Sequence, residues 1–166
     1  MTESTAPTAN TSPTEFRPAG YSTLTPFLCV AGAAKAIDFY RDVFGATLVS
    51  RMDAPDGTVG QAELQFEQGR LQLADPVEGY GLAPHDGAAP ATHSLAIYVP
   101  DCDAVVAAAQ KAGATVREQP STFVTGDRYG SILDPFGVRW SVMTRVENVS
   151  DAEAEKRVKE WMAAQG

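Results

Sequence analysis

The tripeptide Gly-Ala-Thr stands at residues 45–47 and again at 113–115, 68 positions later, each time closing a run with helical apolar spacing. The same offset relates Thr25 to His93 and Gly69 to Gly137. Three landmarks in one register describe two copies of a unit roughly 60 residues long, and duplication restricts the architecture before any single side chain is interpreted.

Each copy reads as β-α-β-β-β. In the first, Thr23–Val30 is an apolar-rich strand whose Pro26 must stand where no ladder N–H is needed. Residues 33–44 carry Ile37, Tyr40, Val43 and Phe44 at helical spacing, with Lys35, Asp38, Arg41 and Asp42 between them. Gly45 closes that helix as a C-cap glycine does. Strands follow over 47–52, 59–66 and 70–74, separated by turns at Pro55-Asp56-Gly57 and at Gly69. In the second copy a strand over 92–99 precedes Asp101, which is suited to cap a helix over 102–112 with Asp103 at its positive end. Strands over 115–119, 128–133 and 139–144 complete it. Asp134-Pro135-Phe136-Gly137 carries the type I turn signature.

The chain therefore divides into a tail (1–20), a first module (21–74), a Gly/Pro/Ala-rich linker (75–90), a second module (91–145) and a C-terminal helix (146–166). The tail has almost no large apolar side chains and is expected to be disordered. Ser150-Asp151-Ala152-Glu153 reads as a capping box, and Ala154, Val158, Trp161 and Met162 then share one face. That face is expected to dock on its own chain or on a partner.

Composition bears mainly on partners. A formal net charge of -8, with the 13 basic residues unclustered, disfavours nucleic acid. No apolar run approaches the ~18 residues of a membrane span, and the N-terminus lacks the basic-then-apolar order of a signal peptide. The expectation is a cytoplasmic protein without membrane contact. Of two cysteines, Cys29 sits in an apolar run, and Cys102 lies between two aspartates that oppose thiolate formation.

Two β-α-β-β-β modules, with Ala36-Ile37-Asp38-Phe39-Tyr40 followed by Phe44-Gly45-Ala46, resemble the vicinal oxygen chelate superfamily. That group includes glyoxalase I, extradiol dioxygenases and bleomycin-resistance proteins. Gly126-Asp127-Arg128-Tyr129-Gly130, followed by Asp134-Pro135-Phe136-Gly137-Val138-Arg139-Trp140-Ser141, looks like its PhnB-like branch. The resemblance covers residues 22 to 145. It implies an α+β fold in which the tandem modules form a curved mixed sheet around a cleft, and a homodimer in which modules of two chains complete that cleft. It also implies four metal-ligand positions, on the first and last strands of each module. Those positions correspond here to Thr25, Gln72, His93 and Ser141.

Only His93 among the four is a good transition-metal donor, whereas a divalent site takes three such ligands. No cofactor is expected; a divalent metal, if held, would take His93, Gln72 and Glu63. Gln61, Glu63 and Gln65 alternate with Ala62, Leu64 and Phe66, so the polar set faces either solvent or the cleft. Inside a partly apolar cleft Glu63 would have a raised pKa and could act as a general base. The cleft set is thus Thr25, Gln61, Glu63, Gln72, His93, Arg139 and Ser141. His93 and Glu63 are the catalytic candidates. Arg128 and Arg139 could hold an anion or pair with local carboxylates; Trp140, opposite in phase to Ser141, belongs in the core, and His85 on the exposed linker. Two functions follow: a small-molecule-binding protein with a degraded metal site, sequestering an antibiotic or metabolite, or a metal-dependent lyase, isomerase or dioxygenase using His93 and Glu63.

Overall fold

The computed structural model describes residues 15–88 and 90–166; most of the tail expected to be disordered lies outside them. The first module comprises β1 (Phe27–Cys29), α1 (Ala33–Phe44), β2 (Thr47–Asp53), β3 (Val59–Gln65) and β4 (Arg70–Ala74). The second comprises β5 (Leu95–Tyr98), α2 (Cys102–Lys111), β6 (Thr115–Thr122), β7 (Asp127–Leu133) and β8 (Arg139–Arg145), and α3 (Asp151–Ala163) ends the chain. The fold is α+β with tandem modules, and the two four-stranded sheets have equivalent orders, β1-β4-β3-β2 and β5-β8-β7-β6. In each, the first strand runs parallel to the fourth and the remaining pairs are antiparallel.

Three strand boundaries differ from the sequence reading by more than one residue. β1 starts at Phe27 rather than Thr23, because Pro26 has no N–H to give the ladder; its carbonyl still accepts from the Gln72 N–H at 2.9 Å. β5 starts at Leu95 rather than at residue 92. β6 continues through Pro120 to Thr122, which an edge strand tolerates, and its register slips between Glu118 and Ser121.

Helix ends follow the chemistry at hand. Asp101 caps α2 by accepting from the Ala104 N–H at 3.0 Å. Gly45, at φ 70°, supplies the left-handed C-cap of α1. The N-terminus of α1 has no local side-chain cap. Asp75, just after β4, serves instead: one carboxylate oxygen accepts from the Gly32 and Ala33 N–H groups at 2.8 and 3.0 Å, the other from the Val59 N–H at 2.8 Å.

One core lies between the helix-bearing sides of both sheets. Ala62, Leu64, Leu71 and Leu73 enter it from the first sheet, and Ile132, Trp140 and Val142 from the second, with Ile37, Tyr40, Val106 and Ala109 from the helices. Burying each large aliphatic chain there contributes about 2 kcal/mol. An aromatic joint ties the modules: Trp140 sits 4.7 Å from Phe44 and 5.3 Å from Tyr40 between ring centroids. Beneath it the buried Asp134 accepts from Tyr40 Oη at 2.8 Å, Trp140 Nε1 at 3.0 Å, and the N–H groups of Phe136 and Val138 at 2.9 Å. The turn signature therefore also carries the polar staple between modules.

Candidate functional site

Strand alternation sends the other set of side chains to the opposite side of each sheet. On the first sheet Gln61, Glu63 and Gln65 of β3 lie beside Arg70 and Gln72 of β4, with Glu63 directly across from Gln72. Gln72 Nε2 donates to Glu63 Oε1 at 3.1 Å, and Arg70 Nη1 pairs with Glu63 Oε2 at 3.1 Å. Arg70 Nε donates to Gln65 Oε1, also at 3.1 Å. Tyr21 comes over this face from the segment before β1: its hydroxyl donates to Glu63 Oε1, and its ring lies under the Arg70 guanidinium, 4.5 Å from Cζ to centroid. The Tyr21 hydroxyl, with Gln72 and Arg70, holds the Glu63 carboxyl below the usual range against the opposing effect of burial. The raised pKa expected for Glu63 is thereby corrected, since three donors outweigh desolvation.

The second sheet carries a hydroxyl-rich counterpart. Ser94 Oγ and Ser141 Oγ are 2.8 Å apart. Arg139 donates to Ser131 Oγ at 3.1 Å and to Glu118 Oε1 at 2.7 Å, and Tyr129 Oη donates to the same Glu118 oxygen at 3.1 Å. Arg70 and Arg139 open equivalent strands, and each is tied to a carboxylate across its sheet.

Register decides which residue accompanies Ser141. Glu63 pairs with Gln72 and Ser131 with Ser141, so Gln72 and Ser141 are structural counterparts. Opposite them stand Phe27 and Ala96, which makes Ser94 the counterpart of Thr25. The 68-residue offset that relates Thr25 to His93 is one residue short at this strand, and a one-residue slip turns a side chain to the other face. His93 is exposed, with Nδ1 3.2 Å from Thr92 Oγ1. The structure thus brings together Glu63 and Gln72, with Gln61 two residues along, and separately Arg139 and Ser141. Thr25 lies half-buried in the segment leading to β1.

Other candidates find local partners. Arg128 grips Asp103 side-on, donating from Nε to Oδ2 and from Nη2 to Oδ1, the latter at 2.6 Å. Trp140 is in the core as its phase required. His85, expected on the exposed linker, is half-buried against the Asp134–Gly137 turn, where a Cβ on Gly137 would lie 2.1 Å from the His85 carbonyl oxygen. Sequence reasoning missed Tyr21, Arg70, Ser94 and Glu118. Alternation with Gln72 was available to find Arg70, but nothing local signals a tyrosine folding back 42 residues onto Glu63. Between the modules there is also an apolar groove of about 570 Å³, lined by Phe44, Phe66, Leu71, Leu95, Ile97 and Trp140 among others.

No helix among the described residues is long and apolar enough to cross a membrane, and no group of three or more His, Cys, Asp or Glu side chains gathers among them.

The family described as Glyoxalase/Bleomycin resistance protein/Dioxygenase superfamily matches residues 22–142. An uncharacterized protein of Mycobacterium bovis is 38% identical over 137 residues, covering 80% of this chain and 89% of its own length. Among solved structures, TioX from Micromonospora sp. ML1 superposes with a TM-score of 0.58 at 23% identity, covering 75% of this chain and 98% of its own. The PhnB protein of Bacillus cereus does so with a TM-score of 0.58 at 19% identity, covering 74% and 99%. These two likenesses are of fold.

Proposed function

The chain belongs to the glyoxalase/bleomycin resistance protein/dioxygenase superfamily, and within it we propose a metal-independent small-molecule-binding protein of the PhnB-like branch, acting as a homodimer. Residues Gly126–Gly130 and Asp134–Ser141 support the branch, beside the fold likeness to the Bacillus cereus protein. The observation that carries the function is the donor chemistry of the two polar faces. The family position beside Gln72 offers the hydroxyl of Thr25, and the position beside Ser141 offers that of Ser94. Glu63 is the carboxylate that Gln72 meets, and it is already neutralised by Arg70 at 3.1 Å. A divalent cation there would lie against a guanidinium and find amides and hydroxyls for its remaining ligands. These residues do not fit such an ion. They do fit a ligand that exchanges hydrogen bonds with Gln, Ser, Glu and Arg side chains at the walls of a shaped cleft.

The direction of the faces supports the dimer. The shared core occupies the helix sides of both sheets, so the polar faces of one chain look away from each other. A cleft between two such faces needs a second copy. Sequestration of an antibiotic or metabolite requires only that cleft.

Metal quantification after purification in the presence of divalent ions, on wild type and His93→Ala, tests this reading. Substoichiometric metal, equal in the two proteins, is the expected result. One tightly held ion per site that disappears with His93 would instead establish the metal-dependent lyase, isomerase or dioxygenase reading.

A further inference from the structure

We propose that the polar face of the first sheet is a seat for a planar hydroxyaromatic ligand, and that the chain's own Tyr21 fills this seat as a removable strap. The inference rests on the binding function above and narrows its ligand class.

Three groups meet the Tyr21 side chain, each complementary to a different part of a phenol. Arg70 presents its guanidinium to the ring face, 4.5 Å from the centroid. Glu63 Oε1 accepts the phenolic proton, and Gln72 Nε2 approaches the phenolic oxygen at 3.4 Å. All three stand on β3 and β4, where pairing holds their backbones. The seat is therefore built into the sheet, and its occupant is not.

Residues 15–25 form neither helix nor strand. Among the described residues their one backbone–backbone hydrogen bond runs from the Tyr21 N–H to the Pro18 carbonyl at 3.3 Å, within the segment itself. Residues 15–20 and 22–24 of the strap are exposed, so little of it besides Tyr21 and Thr25 packs on the body. Gly20 lets it cross close over Arg70: φ is +84°, and a Cβ there would sit 2.8 Å from Arg70 Nη2. Few buried contacts and few backbone bonds make such a segment easy to open.

With Tyr21 seated, the Glu63 and Arg70 side chains keep only 14% and 17% of their exposure. A ligand must displace the phenol to reach them, and its apparent affinity falls by the fraction of chains in the open state. A guest that replaces the phenol restores the carboxylate's lost hydrogen bond and the guanidinium's stacking surface. A hydroxyl on a flat ring does both. An aliphatic alcohol or a carboxylate does one or neither, and a carboxylate is repelled by Glu63.

The probe is p-cresol, the tyrosine side chain as a free molecule. Full-length wild type, Tyr21→Ala and Gly20→Val are titrated by NMR on the Arg70 Nε–H and Gln72 side-chain amide resonances. Both variants should bind p-cresol about tenfold more tightly than wild type or better, because both open the seat by different means. In Tyr21→Ala, 4-methylanisole, whose oxygen is capped, should bind about tenfold more weakly than p-cresol. Equal p-cresol binding by wild type and both variants would overturn the strap. Equal binding of cresol and anisole would overturn the hydroxyaromatic assignment. Either failure leaves the metal-independent binding function standing, whereas stoichiometric metal lost with His93 removes that function whatever cresol does.

Discussion

Asp134 shows how one side chain can set the cost of a whole interface. Burial pushes its carboxyl above the ordinary Asp value of 3.8, although Trp140, Val138, Tyr40 and Phe136 all donate to it. Asp134→Ala leaves four donors without an acceptor, three of them in buried bonds, including the Tyr40 hydroxyl that bridges to the first module. A loss of about 3 kcal/mol or more is expected in urea unfolding. The pH dependence has a definite sign. With a raised folded pKa, the native state holds the proton where the unfolded chain has lost it, so this group's contribution is full below 3.8 and declines as pH rises through the raised value. The stability gap between wild type and Asp134→Asn should accordingly narrow as pH rises above 3.8. A gap that widens over that range would refute the assignment. Glu63 is the opposite case at the same scale: its surrounding donors lower it, a direction that alternation alone could not supply.

At the scale of elements, α1 depends on a residue outside itself. Burial raises the Asp75 carboxyl, but its bonds from Ala33, Val59 and Gly32 together hold it below the ordinary value. Asp75→Ala should cost about 2 kcal/mol by uncapping α1 and freeing the start of β3 at once. That contribution is present above the unfolded Asp pKa and fades as pH falls through the lowered one, so acid should narrow the difference between wild type and variant. A chemical-denaturation series in acid and at neutral pH checks both points. The C-terminal helix behaves differently. Ser150 caps it through the Glu153 N–H at 3.3 Å, but the Glu153 carboxylate turns to Arg157 at 2.9 Å instead of closing the capping box. No α3 residue is fully buried; Trp161 meets Phe123 at 5.2 Å, and Arg157 pairs with Glu147 in the connection that leads from β8 to the helix. Truncation after Val149 should therefore lower Tm by no more than about 5 °C and leave the far-UV spectrum of both modules intact. Collapse of the folded state on truncation would mean that α3 belongs to the core.

At the scale of the whole molecule, the helix-side core and the outward polar faces make the proposed dimer a condition of the complete cleft. A dimer that forms only from native chains raises Tm with protein concentration. A rise of a few degrees across a hundredfold dilution series, with sedimentation giving twice the chain mass at its concentrated end, is the expected behaviour. A concentration-independent Tm with monomer mass throughout would exclude it.

Local pattern was enough for the elements, and duplication was enough for the architecture. Gly45 and Gly113 mark helix ends, and Gly69 and Gly137 both adopt positive φ at equivalent hairpins, because backbone requirements that only glycine meets easily are written into the chain at their own positions. The polar face of β3 was legible for the same reason, since a strand's two-residue period is a local property. What accompanies that face was not. Whether Ser94 or His93 stands beside Ser141 depends on a one-residue register between strands more than 40 positions apart, which glycine landmarks locate only to within a residue. The Tyr21 phenol on Glu63 and the Asp75 cap on α1 likewise join groups over 40 residues apart in sequence. Such contacts leave no periodic trace, because they are selected by packing and hydrogen-bond satisfaction once the sheet exists. Sequence alone settled the duplicated frame; tertiary structure decided which side chains face one another across it, and which of them the chain has already used to cover itself.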